Sequence, residues 1–358
     1  MASSAVFLNP ARAPQGLEAR IQLILGDDST VVHTKPAKHL LLSGGLTLHN
    51  ASDIGQTAAE EIVRGARHLI AVGGDGLIPP LIQTIMEYAI GNTDAESPGS
   101  GLADKLAEFV IGILPLGTGN DLAHSALALD SLDQGLQALA NYYQNRHHDR
   151  THIDRTHVRS LDVMAVSGYS GENKVFTLYT PQFAGFSYDV QIVRWINQHP
   201  RLKRALGSQI YTAGFIGCYQ GYQRPDFTIA VTGEDTTFPH TYHAKNNVLL
   251  LVTSISHAAG GLKIAEADPG DGRLGVFTAN NMPTVPLRLL MLAKMGKSIL
   301  WHSDVDYREG SSITLTPDKP LTAFQIAGDL YTSAGGASGI NRVTCSVPGQ
   351  IPFIVYSG

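Results

Sequence analysis

Two short runs bring glycines and carboxylates together in a pattern suited to gripping phosphate. One is Gly73-Gly74-Asp75-Gly76 and the other is Leu116-Gly117-Thr118-Gly119-Asn120-Asp121, within a chain of 358 residues. Glycine has no side chain to hold a ligand away, so its backbone N–H can come close to a phosphate oxygen. Carboxylates beside it can hold a hard divalent cation or accept a proton. A lone Gly-Gly-Asp-Gly also suits a tight turn capped by its Asp. The second loop of the same kind favours a shared ligand.

The neighbouring residues say which elements carry these loops. His68-Leu69-Ile70-Ala71-Val72 reads as a buried strand that runs into the first loop, and Phe109-Val110-Ile111-Gly112-Ile113-Leu114 as one that runs into the second. After the first loop, Pro79 and Pro80 suit an opening helical turn, where a missing N–H costs nothing, and Leu81, Ile82, Ile85, Met86, Ala89 and Ile90 make one apolar face. Leu122 through Ala128 reads as a helix after the second. Both loops then lie at the carboxyl ends of strands, where open α/β sheets bind ligands, and the positive end of a following helix favours an anion. No G-x-G-x-x-G follows the first strand and no G-x-x-x-x-G-K-[ST] occurs in the chain, which argues against dehydrogenases and P-loop NTPases.

From Ala5 to about Tyr143, strands alternate with helical patterns, which predicts a parallel α/β sheet. The polar stretch 145–157 marks a boundary. Beyond it, Val175–Tyr179, Phe227–Val231, Val248–Ile255, Leu274–Thr278 and Ser312–Leu315 are β-branched or alternating, so this half reads as strand-rich. Helical exceptions are Val190–Ile196, Ser208–Gln220 and Pro286–Leu300. The division expected is a nucleotide-binding α/β domain over 1–155 and a β-rich acceptor-binding domain over 156–358, with the C-terminal tail able to return to the first.

The pairing of the two loops resembles the diacylglycerol kinase and sphingosine kinase superfamily of lipid kinases. Other landmarks fall in that family's order: Asn9-Pro10, Gly185-Phe186-Ser187, Arg204-Ala205-Leu206-Gly207 before Tyr211, Gly260-Gly261-Leu262-Lys263-Ile264 and Asp271-Gly272-Arg273-Leu274. The resemblance implies a Rossmann-like parallel sheet of the NAD kinase and diacylglycerol kinase type, followed by a β-sandwich-like domain, with the active site between them. It implies ATP and Mg²⁺ as cofactors and a lipid or lipid-like alcohol, of diacylglycerol or sphingoid type, as acceptor of the γ-phosphate. Asn9, Gly73, Gly74, Gly76, Gly117, Thr118, Gly119 and Asn120 would line the nucleotide. Asp75 corresponds to the base of sphingosine kinases, Asp121 and a later Asp to the groups implicated in bacterial diacylglycerol kinases, and Asp271 to a structural Mg²⁺ site.

The departures are specific. Family members usually carry Asp-Gly-Glu near the C-terminus, where this chain has Ala327-Gly328-Asp329. A methyl group accepts no proton and binds no metal, so that work falls to Asp329 or Asp75. Leu77 and Pro79-Pro80 alter the first loop, and Ala11-Arg12-Ala13 replaces the usual Ser-Gly after Asn9-Pro10. Two alternatives follow: a catalytically degenerate relative that still binds nucleotide or lipid, and a kinase redirected to a non-membrane metabolite.

Composition limits the partners. A net charge of −5 disfavours nucleic acid, which demands clustered cations. The cluster Arg201-Leu202-Lys203-Arg204 reads as a solvated helix start that could also meet lipid headgroups. The two cysteines, Cys218 and Cys345, offer no disulfide framework and fit a reducing, cytoplasmic setting with at most peripheral contact at membranes. No leader and no membrane-spanning run is read, and the oligomeric state stays open. His147, His148, Asp149, His152, Asp154 and His157 gather at the boundary without a standard zinc spacing.

Overall fold

The computed structural model describes residues 3–8, 13–26, 29–35, 39–41, 46–49, 53–93, 100–117, 119–146, 157–207, 209–218, 222–233, 239–258, 262–264, 266–280, 302–333 and 339–356. The strands Ser3–Leu8, Ala66–Gly73 and Val110–Pro115 are apolar along almost their whole length, and Ala5, Val6, Phe7, Leu69, Ile70, Val72, Ile111 and Leu114 are all fully buried. Strands covered on both faces belong in a parallel sheet clothed by helices. These three pair in parallel, with Ser29–His33 at the outer edge.

The register decides where the loops fall. His68 pairs with Val110 and, five residues on, Gly73 pairs with Pro115, so both loops leave the sheet side by side at its carboxyl end. The chain then turns through a 3-10 turn, Asp75–Leu77, into the helix Ile78–Gly91, with its two prolines in the first turn. That helix lays Ile78, Leu81, Ile82, Ile85, Met86 and Ala89 onto the sheet.

The second half contributes two antiparallel layers. One continues the first sheet: Arg342–Ile354 pairs with Val158–Ser170 and Ser312–Pro317, and its Phe353 lies parallel beside Ile111. The other runs through Val305–Gly310, Leu274–Asn280, Asn247–Thr253, Phe183–Gly185, Ala323–Ile326 and Asp329–Ser333. Met164, Val166, Ile313, Val343 and Cys345 of the first layer pack on Leu250, Val252, Val276, Phe324 and Tyr331 of the second, a sandwich core separate from that of the parallel sheet. The fold is therefore an α/β unit with a mainly parallel sheet joined to antiparallel sheets, as the motifs implied.

One part of the N-terminal half departs from the alternating pattern. His39–Leu41 and Leu46–His49 form a hairpin that joins the antiparallel sheet, with Leu48 opposite Tyr331 and Leu46 opposite Ser333. Burial of Leu46 and Leu48 against the sandwich core outweighs their place in the sequence. Residues 147–156, which hold most of the histidine cluster, lie outside the described residues, as do Asn9, Thr118, Gly260, Gly261 and the expected helix at 286–300. No helix among the described residues is long and apolar enough to cross a membrane.

Candidate active site

The two glycine loops touch. The Leu116 N–H donates to the Gly73 carbonyl at 2.8 Å, which carries the strand pairing one residue past the sheet. Gly74 and Gly117 then meet backbone to backbone: a Cβ built on Gly117 would lie 2.3 Å from the Gly74 Cα. Asn120 locks the second loop from within. At φ 56° it adopts the left-handed conformation that Asn tolerates, and its side chain accepts from the Gly117 N–H at 2.8 Å and donates to the Gly117 carbonyl at 3.2 Å. Gly117→Ala should force the loops apart, lowering stability by about 1–3 kcal/mol as overpacked sites do. Thermal melting beside the parent protein checks it.

Asp75 ties the first loop to the second. Its Oδ2 accepts from the Asp121 N–H at 3.0 Å and its Oδ1 from the Leu122 N–H at 3.3 Å, so the carboxylate caps the short helix Asp121–Ala126. Gln182 Nε2 donates to Oδ1 from the far side at 3.2 Å. Burial raises the Asp75 pKa, opposed by the amides of Asp121, Leu122 and Asn120 and by His124. The amides that open the helix are thus engaged by Asp75.

Two further carboxylates face the same recess. A Cβ on Gly119 would lie 2.9 Å from Asp75 Oδ2 and 3.4 Å from Asp121 Oδ2; one on Gly76 would lie 3.2 Å from Asp329 Oδ2. Glycines at 76 and 119 therefore leave room for the acids. Asp329 is half-buried at the surface yet enclosed on most sides. Burial first and the neighbouring Asp75 second raise its pKa to about 7, while Lys203 pulls the other way. A carboxyl that titrates near neutrality is suited to take a proton in a reaction.

The turn that aims Asp329 is unusual. Ile326 pairs with Asp329, and the two residues between them, Ala327 at φ 51° and Gly328 at φ 83°, both have positive φ, the pattern of a type I′ hairpin turn. The Gly328 N–H donates to Gln325 Oε1 at 2.9 Å, and Gln325 Nε2 donates to the buried Asp189 at 3.0 Å. Asp189 is itself raised to about 6, by burial foremost. Alanine is a poor residue for the left-handed conformation. Ala327→Asn should therefore raise the urea midpoint, by about 1 kcal/mol in stability, without changing the slope of the transition.

Of the residues singled out from sequence, the structure brings together Gly73, Gly74, Asp75, Gly76, Gly117, Gly119, Asn120, Asp121 and Asp329. Asp271 is not part of this recess. It sits in a loop anchored to the buried Asp162, which accepts from the Gly272 N–H at 2.9 Å and Gln350 Nε2 at 2.8 Å, and its own Oδ1 accepts from the Arg273 N–H. No group of three His, Cys, Asp or Glu close enough to hold a metal occurs among the described residues. A Mg²⁺ ion in the recess would accordingly take one or two carboxylates and complete its shell with phosphate oxygens and water, which suits its habits.

Sequence reading missed Gln182 and the inward role of Lys203. Gln182 is fully buried, and its Oε1 has no hydrogen-bond partner, so the amide is held at Asp75 with one acceptor unspent. A glutamine between Pro181 and Phe183 gives no signal, because only the pairing of Phe183–Gly185 with Asn247–Thr253 and Ala323–Ile326 carries it to Asp75.

Comparison with known proteins finds matches over the first half of the chain and over its fold. Residues 19–165 match the diacylglycerol kinase catalytic domain, a span that includes both loops. Over 265 residues the chain is 23% identical to a protein of Staphylococcus epidermidis that bears a provisional lipid kinase name, a match covering 73% of this chain and 70% of that one. A crystal structure of a protein from Bacillus anthracis provisionally named a diacylglycerol kinase superposes with a TM-score of 0.59 at 15% identity, covering 99% of this chain and 97% of that one. A second diacylglycerol kinase structure from the same organism gives 0.54 at 15% identity, with 99% and 96% covered. These structures share the fold.

Proposed function

We propose that this chain, whose residues 19–165 match the diacylglycerol kinase catalytic domain, is a lipid kinase of that superfamily and transfers the γ-phosphate of ATP to the hydroxyl of a lipid-like alcohol at the recess between the two glycine loops. The observation that carries this reading is the convergence of Asp75, Asp121 and Asp329 on glycines of two touching loops. Phosphoryl transfer needs positioning and charge neutralisation more than covalent help from the protein. The glycine backbones accept the phosphate chain, and Asp75 keeps the loops in register. Mg²⁺, when bound, neutralises charge on the phosphates. Asp329 takes the proton of the attacking hydroxyl, since its carboxyl beside Gly76 is raised to about 7 by burial first and, against the pull of Lys203, by the neighbouring Asp75. Asp271 is proposed to hold a cation apart from the reaction, as a structural site.

Ala327 favours a second reading, a non-catalytic relative that retains the nucleotide recess. Incubation with γ-labelled ATP, Mg²⁺ and a panel of diacylglycerol, sphingoid bases, ceramide and soluble apolar alcohols separates the two. Label in the organic phase with the parent protein but not with Asp329→Asn supports the kinase. ATP binding without transfer to any acceptor supports the second reading.

A further inference from the structure

Gln325 is buried where three elements meet. It lies in Ala323–Ile326, pairs with Gly185 of Phe183–Gly185, and reaches Asp189 in the first turn of the helix Tyr188–Gln198. Gly185 makes the meeting possible, because a Cβ built there would run into both Asp189 Oδ2 and Gln325 Nε2. The direction of these hydrogen bonds is fixed from one end. The Gly328 N–H can only donate, so Gln325 turns Oε1 toward it and Nε2 toward Asp189. Asp189 then accepts on both oxygens, Oδ2 from Gln325 and Oδ1 from the Ser187 N–H at 3.0 Å.

At the other end stands the turn before Asp329. Its two central residues have positive φ, and an Asn or Asp at the first of them would support that backbone with its own side chain. Ala327 has no such group. The turn is held from outside instead: the Ala327 N–H donates to the Phe183 carbonyl at 3.0 Å, and the Gly328 N–H to Gln325. On the far flank, Val190 and Val193 of the helix that carries Asp189 pack on Leu330, the residue after Asp329. Asp329 thus follows a turn held by Gln325 and precedes a residue held by that helix.

We propose that Gln325, oriented by Asp189, is the positioning residue for Asp329: it imposes the turn that aims the Asp329 carboxyl at Gly76. Both are buried, and each acts through the next. That Asp329 serves as the base rests on the kinase reading; that Gln325 aims it does not.

The test exploits the fixed direction of the bonds. Asp189→Asn replaces one oxygen by an amide, which must face Gln325 Nε2 because the Ser187 N–H claims the remaining oxygen, so two donors meet with no acceptor between them. Adding Gln325→Glu restores an acceptor at each bond and moves the charge by one residue. The whole chain is followed without nucleotide or added metal by carbon-13 NMR of the Asp329 carboxyl across pH, with phosphoryl transfer and ATP affinity measured beside it. In the parent the midpoint is expected at about 7, set by burial and Asp75 against Lys203. Asp189→Asn should lower it by about one unit or more as Asp329 turns toward water, and should lower transfer about tenfold with ATP affinity unchanged. The paired variant should recover at least half of both losses, whereas a role in packing alone predicts that two substitutions are worse than one. If circular dichroism shows that Asp189→Asn does not fold, Gln325→Met is compared with Gln325→Met in an Ala327→Asn background, where the turn supports itself: the midpoint should fall in the first and recover in the second. An unchanged midpoint in the single variant, no recovery in the paired one, or a parent midpoint at about 4 overturns the proposal. Transfer is scored separately: these midpoints in a parent that transfers no label sink the kinase alone, and transfer without them sinks the positioning alone.

Discussion

Asp329→Asn is expected to lose phosphoryl transfer and to melt at a higher temperature than the parent protein at pH 8. Removing a general base costs about 10²–10⁴-fold in rate. In the parent, kcat/KM should rise with pH along an acid limb whose midpoint lies near 7, the value to which burial and Asp75 raise the Asp329 carboxyl. The stability change has the opposite sign because the native state holds the Asp329 proton up to about pH 7, while the unfolded chain releases it near 4. Between those values the native state binds more protons, so this carboxyl costs the parent stability as pH rises, and the deficit persists above 7. Asparagine carries no such charge. The variants should melt alike near pH 4 and differ by about 2 kcal/mol at pH 8, allowing for the solvent that reaches a half-buried group. A variant that is inactive yet no more stable at pH 8 would mean that Asp329 is not held against its ionisation.

Asp75→Ala should damage the protein differently. The Asp75 carboxylate satisfies the Asp121 and Leu122 amides and the Gln182 side chain at once. Alanine leaves these donors unpaired, and each orphaned group costs about 1–3 kcal/mol. The expected result is a fall in melting temperature at every pH, loss of ATP binding, and transfer below detection. Asp75→Asn, which keeps one acceptor oxygen, should fall between. If Asp75→Ala instead keeps its melting temperature and ATP affinity and loses only turnover, Asp75 is the base and its bracing role is wrong. The two acids are thus separated by what each removal spares.

The loops and the strands that carry them were legible because their signals are local. Glycines, an Asp and an apolar strand sit together at 68–76 and again at 109–121, and parallel pairing needs only those runs to be buried. The sandwich was legible as strand content, but its membership was not. Leu46 and Leu48 sit in an N-terminal segment of α/β character and are claimed by Tyr331 and Ser333 through burial, which no local pattern encodes. The same limit hid Gln182, whose meeting with Asp75 depends on sheet pairing between distant segments. Asp329 was visible as a surviving acid beside Ala327, while its position against Gly76 came only with the type I′ turn and the docking of its sheet.

The most direct test is calorimetric titration of ATP, with and without Mg²⁺, into the parent protein and Gly117→Ala. One site per chain, tightened by Mg²⁺ and weakened at least about tenfold by a methyl group where Gly74 and Gly117 touch, is the predicted result. Absence of ATP binding in the parent, or affinity unchanged in Gly117→Ala, would contradict a nucleotide site built from the two glycine loops.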